Sequence, residues 1–225
     1  MKSATYVCAA VRRDRLGLTA REFGQLRRLT TPQRIQTFVN AIPTNHEVDG
    51  ETVLSVREVL RQRRAHCIEG AFVAACALWI HGLPPLLMHL DCAPHDDPHA
   101  LALFRTRGGW GAISKSNGVA LRFRDPIYRT LRELALSYFH EFCDRRGQRT
   151  MRSYSRTFDL RRVDPSLWVT RADACTDVDE RLGALRHYPL VSARRTSILG
   201  RRDAFERRAA TVVEYPPPRQ PRRKR

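Results

Sequence analysis

Two side chains in this sequence are placed where they could do chemistry together: the thiol of Cys67 and the imidazole of His99. Cys67 directly precedes Ile68-Glu-Gly-Ala-Phe-Val-Ala-Ala-Cys-Ala-Leu-Trp-Ile80, a run that is apolar around most of its circumference and predicts a helix buried at the centre of a domain. A thiol at the first turn of such a helix meets the partial positive charge and the free N–H groups of the helix start. Both lower its pKa and make it a better nucleophile near neutral pH. The Cys67 amide would supply part of an oxyanion site at the same place. His99 opens the second strand expected after that helix, from where its ring can face the helix start and activate the thiol. Cys76, inside the same run, reads as a buried inert thiol. His66 reads as a helix cap or as a further partner of Cys67.

The elements that must position this pair follow from pattern. Phe23, Leu26 and Leu29 recur at helical spacing behind a Thr19 cap, and Ile35, Phe38, Val39 and Ile42 do so behind Thr31-Pro32. Val53, Val56, Val59 and Leu60 mark a further helical stretch ahead of Arg61-Gln-Arg-Arg64. After His81-Gly82 stops the central helix, Leu86 to Leu90, His99 to Phe104 and Trp110 to Ser114 read as strands whose short connections favour antiparallel pairing. Asp125-Pro126 is expected to open another helix carrying Ile127, Leu131, Leu134 and Phe139. Residues 145–214 mix short apolar pieces with many arginines. The stretch from Tyr215-Pro-Pro-Pro to Arg225 is proline-rich and basic, and is expected to be disordered.

The string Arg64-Ala-His-Cys67-Ile-Glu-Gly-Ala, the long apolar helix, Asp97-Pro-His99-Ala-Leu-Ala-Leu-Phe and Gly109-Trp110 together resemble the cysteine and histidine motifs of the transglutaminase-like superfamily, which shares the papain-like cysteine protease fold. The resemblance covers residues 31–117. It implies an α+β core in which a central helix bearing Cys67 packs on a small antiparallel sheet, with extra helices and a basic disordered tail added. The implied organisation is an N-terminal helical extension (1–30), a transglutaminase-like core (31–144), a basic C-terminal extension (145–214) and the tail (215–225). In that superfamily an aspartate following the tryptophan strand orients the histidine. Here Ser114 stands at that place, within Ser114-Lys-Ser-Asn117, and Asn117 is preferred as the orienter because asparagine fills that role in papain-type sites. The family also carries a glycine shortly before the cysteine, where this chain has Ala65-His66. The implied activity is that of a thiol hydrolase or acyl transferase acting on a peptide or protein amide, with no cofactor and no metal.

Composition bounds the alternatives. At 225 residues with 42% hydrophobic and 8% aromatic residues, the chain is long enough for one ordinary core and too apolar for wholesale disorder. A net charge of +17 would ordinarily suggest an anionic partner. Yet Lys2, Lys115 and Lys224 are the only lysines among 40 basic residues, and so uniform an arginine bias fits a codon preference as well as a binding design. Nucleic acid is therefore permitted but not favoured. The competing reading is a non-catalytic interaction protein that keeps the fold and binds an anionic partner through its arginine-rich half. No apolar run approaches the roughly 20 residues that span a bilayer, and Tyr6 to Val11 is too short for a signal peptide, so no membrane partner is expected and the cytoplasm is. The six cysteines show no CxxC spacing and no disulfide framework. The polar stretch containing His89, Asp91, Cys92, His95, Asp96, Asp97 and His99 has the residue types of a metal site, but reads better as a solvated loop.

Overall fold

A computed structural model of the chain describes residues 7–48 and 50–218. It opens on a single helical turn, α1 (Arg13–Leu16), then α2 (Ala20–Arg27), α3 (Pro32–Asn40) and α4 (Val56–Gln62). Each of the last three starts where a hydroxyl can take up an orphan amide. Thr19 accepts from Glu22 N at 3.2 Å while the Glu22 carboxylate returns to Thr19 N at 2.8 Å. Thr31 accepts from Arg34 N at 3.2 Å, with Pro32 preset for the first turn, and Ser55 accepts from Glu58 N at 3.3 Å. The central helix, α5 (Cys67–Ile80), is buried at every residue from Ile68 onward.

One antiparallel sheet carries the rest. Its strands are β1 (Leu86–Cys92), β2 (His99–Thr106), β3 (Gly109–Ile113), β4 (Arg124–Tyr128), β5 (Met151–Ser155), β6 (Phe158–Asp159) and β7 (His187–Pro189), in the order β4-β3-β2-β1-β5-β7 with β6 beside the first residues of β1. The twofold period of the strands sorts their side chains onto two faces. Leu87, Ala100, Ala102, Phe104 and Ile113 join the core built around α5, while Leu86, Met88, Leu101, Leu103 and Ala112 join a second core with Leu134 and Tyr138 of α6 (Leu131–Phe139). The architecture is therefore α+β, an antiparallel sheet sandwiched between helices.

Three expectations are corrected by these packing facts. Asp125-Pro126 does not open a helix: it lies in β4, the edge strand, where a proline without an amide hydrogen costs no ladder bond. The helix starts at Leu131, capped by Thr130 Oγ1 accepting from Glu133 N at 3.1 Å, and Ile127 is exposed. Residues 145–214 do not form a mere extension. They supply β5, β6, β7 and α7 (Thr176–Gly183), and Trp168, Val169, Cys175, Val178 and Leu182 are buried in the same core as α5. Val11, Leu16 and Leu26, ahead of the expected core, are buried there too. Beyond α8 (Ala193–Thr196) and α9 (Ala204–Ala210), the expected tail is not free from its first residue, because Tyr215 is hydrogen-bonded to the body of the protein. Residues 219–225 of that tail lie outside the described residues.

No helix among the described residues is long and apolar enough to cross a membrane.

Candidate active site

Cys67 is the first residue of α5, and its surroundings are fixed from the loop that wraps the helix start. Ala65 bridges Thr44, with Asn45 N donating to Ala65 O at 3.1 Å and Ala65 N to Pro43 O at 3.0 Å. Glu69 ties this loop down. Its fully buried carboxylate accepts from His66 N (2.8 Å), Leu54 N (2.9 Å), Thr52 Oγ1 (2.8 Å) and Asn45 Nδ2 (3.2 Å). A buried carboxylate is tolerated where several donors face it, and here they also pin the residues on either side of the thiol.

The sulfur lies between two imidazoles. His66 Nδ1 is 3.9 Å from Cys67 Sγ, and its other nitrogen donates to the Thr52 carbonyl at 2.7 Å with Glu69 Oε1 at 3.4 Å. His99 lines the same two cavities as the sulfur. Burial alone would raise the thiol pKa, but hydrogen bonds and charge from His66 and His99 outweigh it and pull it down to about 5. Burial opposes charge on His66 as well, yet the Cys67 sulfur, the Glu69 carboxylate and the Thr52 carbonyl push it up to about 10. Thiolate and imidazolium thus stabilise one another as an ion pair at neutral pH.

His99 is held by Ser114. Nε2 of His99 lies 2.7 Å from Ser114 Oγ, whose single hydrogen is given to the Leu121 carbonyl. The serine therefore accepts from His99 Nε2–H, which leaves Nδ1 as the ring nitrogen available to sulfur. Gln36 of α3 clamps the serine backbone: Ser114 N donates to Gln36 Oε1 at 2.9 Å, and Gln36 Nε2 donates to Ser114 O at 2.8 Å. The β2–β3 register explains the choice of residue. Ala102 pairs with Ile113, so the next residue, Ser114, continues the row in which His99 stands.

Asn117, the expected orienter, does not reach that row. Its Nδ2 donates to Tyr215 O and its Oδ1 accepts from Tyr215 N, both at 2.9 Å, so both ends of the amide are engaged by the C-terminal segment. It still lines the cavity of about 270 Å³ that also contains Cys67, His66, His99 and Lys115. A second cavity of about 520 Å³ shares Cys67, His66 and His99 and opens toward His89 and Asp179. The sulfur therefore borders a cleft that continues on both sides. Burial and the nearby Cys67 sulfur raise the Asp179 carboxyl above its ordinary value.

Two contributors, Glu69 and Lys115, have no role in the sequence reading, and His66 has only that of a cap or partner, although Glu69 three residues on is the spacing of a carboxylate that returns to the cap amide. In sequence Glu69 reads as part of an apolar helix. Lys115 is almost fully buried, with Nζ bonded to the Ile42 carbonyl and 3.4 Å from Asn40 O, and burial lowers it to about 8 against the pull of Glu214.

The residues of metal-ligand type between His89 and His99 go separate ways. His89 Nδ1 meets His187 Nε2 at 2.9 Å, Asp91 accepts from Ser153 at 3.0 Å, Cys92 donates to Asp96 O at 3.1 Å, and His95 faces Asp144 at 3.4 Å. Among the described residues no three such side chains converge in a way that could hold a metal ion.

What remains is a buried-edge thiolate, two imidazoles in different roles and an accessible cleft, an arrangement able to attack a carbonyl carbon and to protonate the group that leaves. No protein-family model matches the sequence, and no curated protein matches it.

Proposed function

We propose that the chain is a transglutaminase-like thiol enzyme acting on a peptide or amide bond through an acyl-enzyme on Cys67. The observation that carries this reading is the place of Cys67 at a helix start, with His66 Nδ1 3.9 Å from its sulfur and His99 lining the same open cleft, surroundings that pull the thiol down to about 5. A thiol that served only to fill the core would look like Cys76, which sits in the same helix and whose thiol burial pushes well above its ordinary value.

The steps follow from the contacts. The Cys67 thiolate adds to the amide carbonyl carbon, and the carbonyl electron pair moves to oxygen, where the Cys67 backbone N–H at the helix start can receive it. His99, which in this scheme carries a second proton on Nδ1, passes that proton to the leaving amine as the C–N bond breaks and the thioester forms. Water, giving its proton to His99, then adds to the thioester and returns Cys67 as thiolate and the product as an acid. Hydrolysis is favoured over transfer because it needs no second substrate site. His66, fixed by Thr52 and Glu69, contributes its charge to the sulfur and is a positioning residue in this scheme.

A second reading, an interaction protein that keeps this arrangement without turnover, draws on Ser114: a neutral hydroxyl cannot stabilise an imidazolium by charge as a carboxylate does. One experiment separates the two. The protein is incubated with a pool of peptide and isopeptide amides, and intact-mass and peptide-level mass spectrometry follow Cys67. Catalysis predicts an acyl mass on Cys67 that disappears with time in water and is absent in Cys67→Ser and His99→Ala. Failure to acylate, combined with a Cys67 that alkylates no faster than Cys8 at pH 6, rules the enzyme reading out.

A further inference from the structure

The C-terminal segment is seated on the wall of the Cys67 cavity in the manner of a bound peptide. Asn117 contributes its side-chain amide to both backbone groups of Tyr215, donating to O and accepting from N at 2.9 Å each, and Glu214 N donates to Asn117 O at 2.9 Å. Val213 and Gly118 form an antiparallel bridge. His46 Nε2 reaches the same Tyr215 carbonyl at 3.1 Å, and the Tyr215 hydroxyl donates to Asn40 O at 2.9 Å. The Lys115 ammonium lies 4.9 Å from the centre of the Tyr215 ring, and Arg122 pairs with Glu214 at 2.6 Å.

This is the division of labour by which grooves take extended peptides. Backbone groups are read without regard to sequence, and a ring over a cation plus an acid opposite an arginine supply selectivity. Two of the residues involved, Lys115 and Asn117, also line the cavity that holds Cys67 and His99. The occupant is not part of the core: α9 buries none of its residues, Val212 is 57% and Val213 39% exposed, and Tyr215 is the one partly buried side chain from Thr211 to Pro218. A segment held by a few polar contacts and one ring, with no apolar anchor behind it, is suited to leave and return.

We infer that Asn40, His46, Lys115, Asn117 and Arg122 form a subsite for an extended peptide carrying an acidic residue followed by an aromatic one, and that Glu214-Tyr215 of this chain fills it in cis. As the place where a peptide substrate of Cys67 would lie, it rests on the function proposed above; as a peptide-binding site it does not. The in-cis segment acts as a built-in competitor, present at an effective concentration of about a millimolar in the manner of any tethered ligand.

The test uses the full chain and a fluorescent synthetic peptide with the sequence of residues 212–218. The parent protein is expected to bind it weakly, because its own segment competes. Tyr215→Ala weakens that competitor and should bind the peptide at least about tenfold more tightly. Tyr215→Ala combined with Asn117→Ala should lose the gain, and a peptide with alanine in place of its tyrosine should not bind Tyr215→Ala. In Tyr215→Ala the saturating peptide should also slow alkylation of Cys67 by iodoacetamide. Equal affinity of the parent and Tyr215→Ala, or tight binding of the alanine peptide, overturns the subsite. Tight peptide binding that leaves Cys67 alkylation unchanged overturns its link to the thiol. An unreactive Cys67 with intact peptide binding removes the proposed chemistry and leaves the peptide site standing.

Discussion

Nε2 of His99 sits 2.7 Å from Oγ of Ser114, and the serine has already given its hydrogen to the Leu121 carbonyl. A neutral hydroxyl thereby fixes which ring nitrogen of the histidine faces away from the sulfur, and the Gln36 clamp on the Ser114 backbone keeps the serine in place. Removing the hydroxyl leaves a buried ring N–H without an acceptor and frees the imidazole to rotate. General acid–base catalysis is worth about 10²–10⁴ in rate, so Ser114→Ala should lower the rate of Cys67 acylation by about tenfold to a hundredfold with little change in substrate affinity. Asn117→Ala should leave the pH profile of that rate in place. Measuring both variants across pH decides between the two residues, and a profile that moves with Asn117 instead of Ser114 would reverse their roles.

The Cys67–His66 pair makes a prediction about pH with opposite signs at its two ends. The thiol falls from 9.0 to about 5 on folding, so the folded state releases a proton earlier and gains stability as pH rises above about 5. His66 rises from 6.5 to about 10, so its contribution is complete below 6.5 and is lost as pH rises through about 10. The pair's contribution should climb from about pH 5 to 6.5, stay level to about 9, where the two slopes cancel, and decline toward 10. Urea unfolding of the parent and His66→Gln at a series of pH values reads this as their difference. Iodoacetamide labelling should show Cys67 already reactive near pH 6, with His66→Gln and His99→Ala each shifting the onset upward. A flat difference curve, or labelling that starts near pH 9 in the parent, would contradict the ion pair.

Much of this was legible in the sequence because it rests on local pattern. The apolar circumference of residues 68–80, the Thr19 and Thr31 caps and the spacing of Val56, Val59 and Leu60 give the helices, and the short turns between Leu86 and Ile113 give the antiparallel strands. That same order placed Cys67 at a helix start and His99 at a strand start. Two things escaped it. Trp168, Val178 and Leu182 are scattered among arginines, so nothing periodic announces that they complete the core under α5. The exchange of Asn117 for Ser114 depends on cross-strand register, which is set by β2 and β3 together and cannot be read from either one.

Glu69 offers a test of how the helix start is built. Replacing it with leucine removes the acceptor for donors from His66, Leu54, Thr52 and Asn45 together, while the polar groups around it stay buried. Breaking a buried, fully paired charge costs roughly 3–5 kcal/mol, and Glu69→Leu should lose stability on that scale in chemical denaturation. Where the variant still folds, Cys67 labelling should lose its low-pH onset, since His66 is no longer held beside the sulfur. Stability within about 1 kcal/mol of the parent would mean the loop from Asn45 to Leu54 is held by something other than this carboxylate.

Gly70 is the last point at which sequence preference and structure pull in opposite directions. An alanine in mid-helix ordinarily stabilises by about 1 kcal/mol over glycine. At Gly70, though, an added Cβ would lie 2.5 Å from Cβ and 3.0 Å from Cγ of Lys115, and 3.3 Å from Cγ1 of Val39. The stem of Lys115 cannot swing away, because its ammonium is tied to the Ile42 carbonyl and stacked on Tyr215. The chain following β3 must then move off α5, and that chain carries Ser114, the residue that holds His99. Gly70→Ala should therefore cost about 1–3 kcal/mol, the usual range for overpacking a closed site, and should slow Cys67 acylation as well. Thermal melting with labelling kinetics on the same sample checks both: a variant that melts at or above the parent temperature would show that the approach of Lys115 to the central helix is looser than the contact distances require.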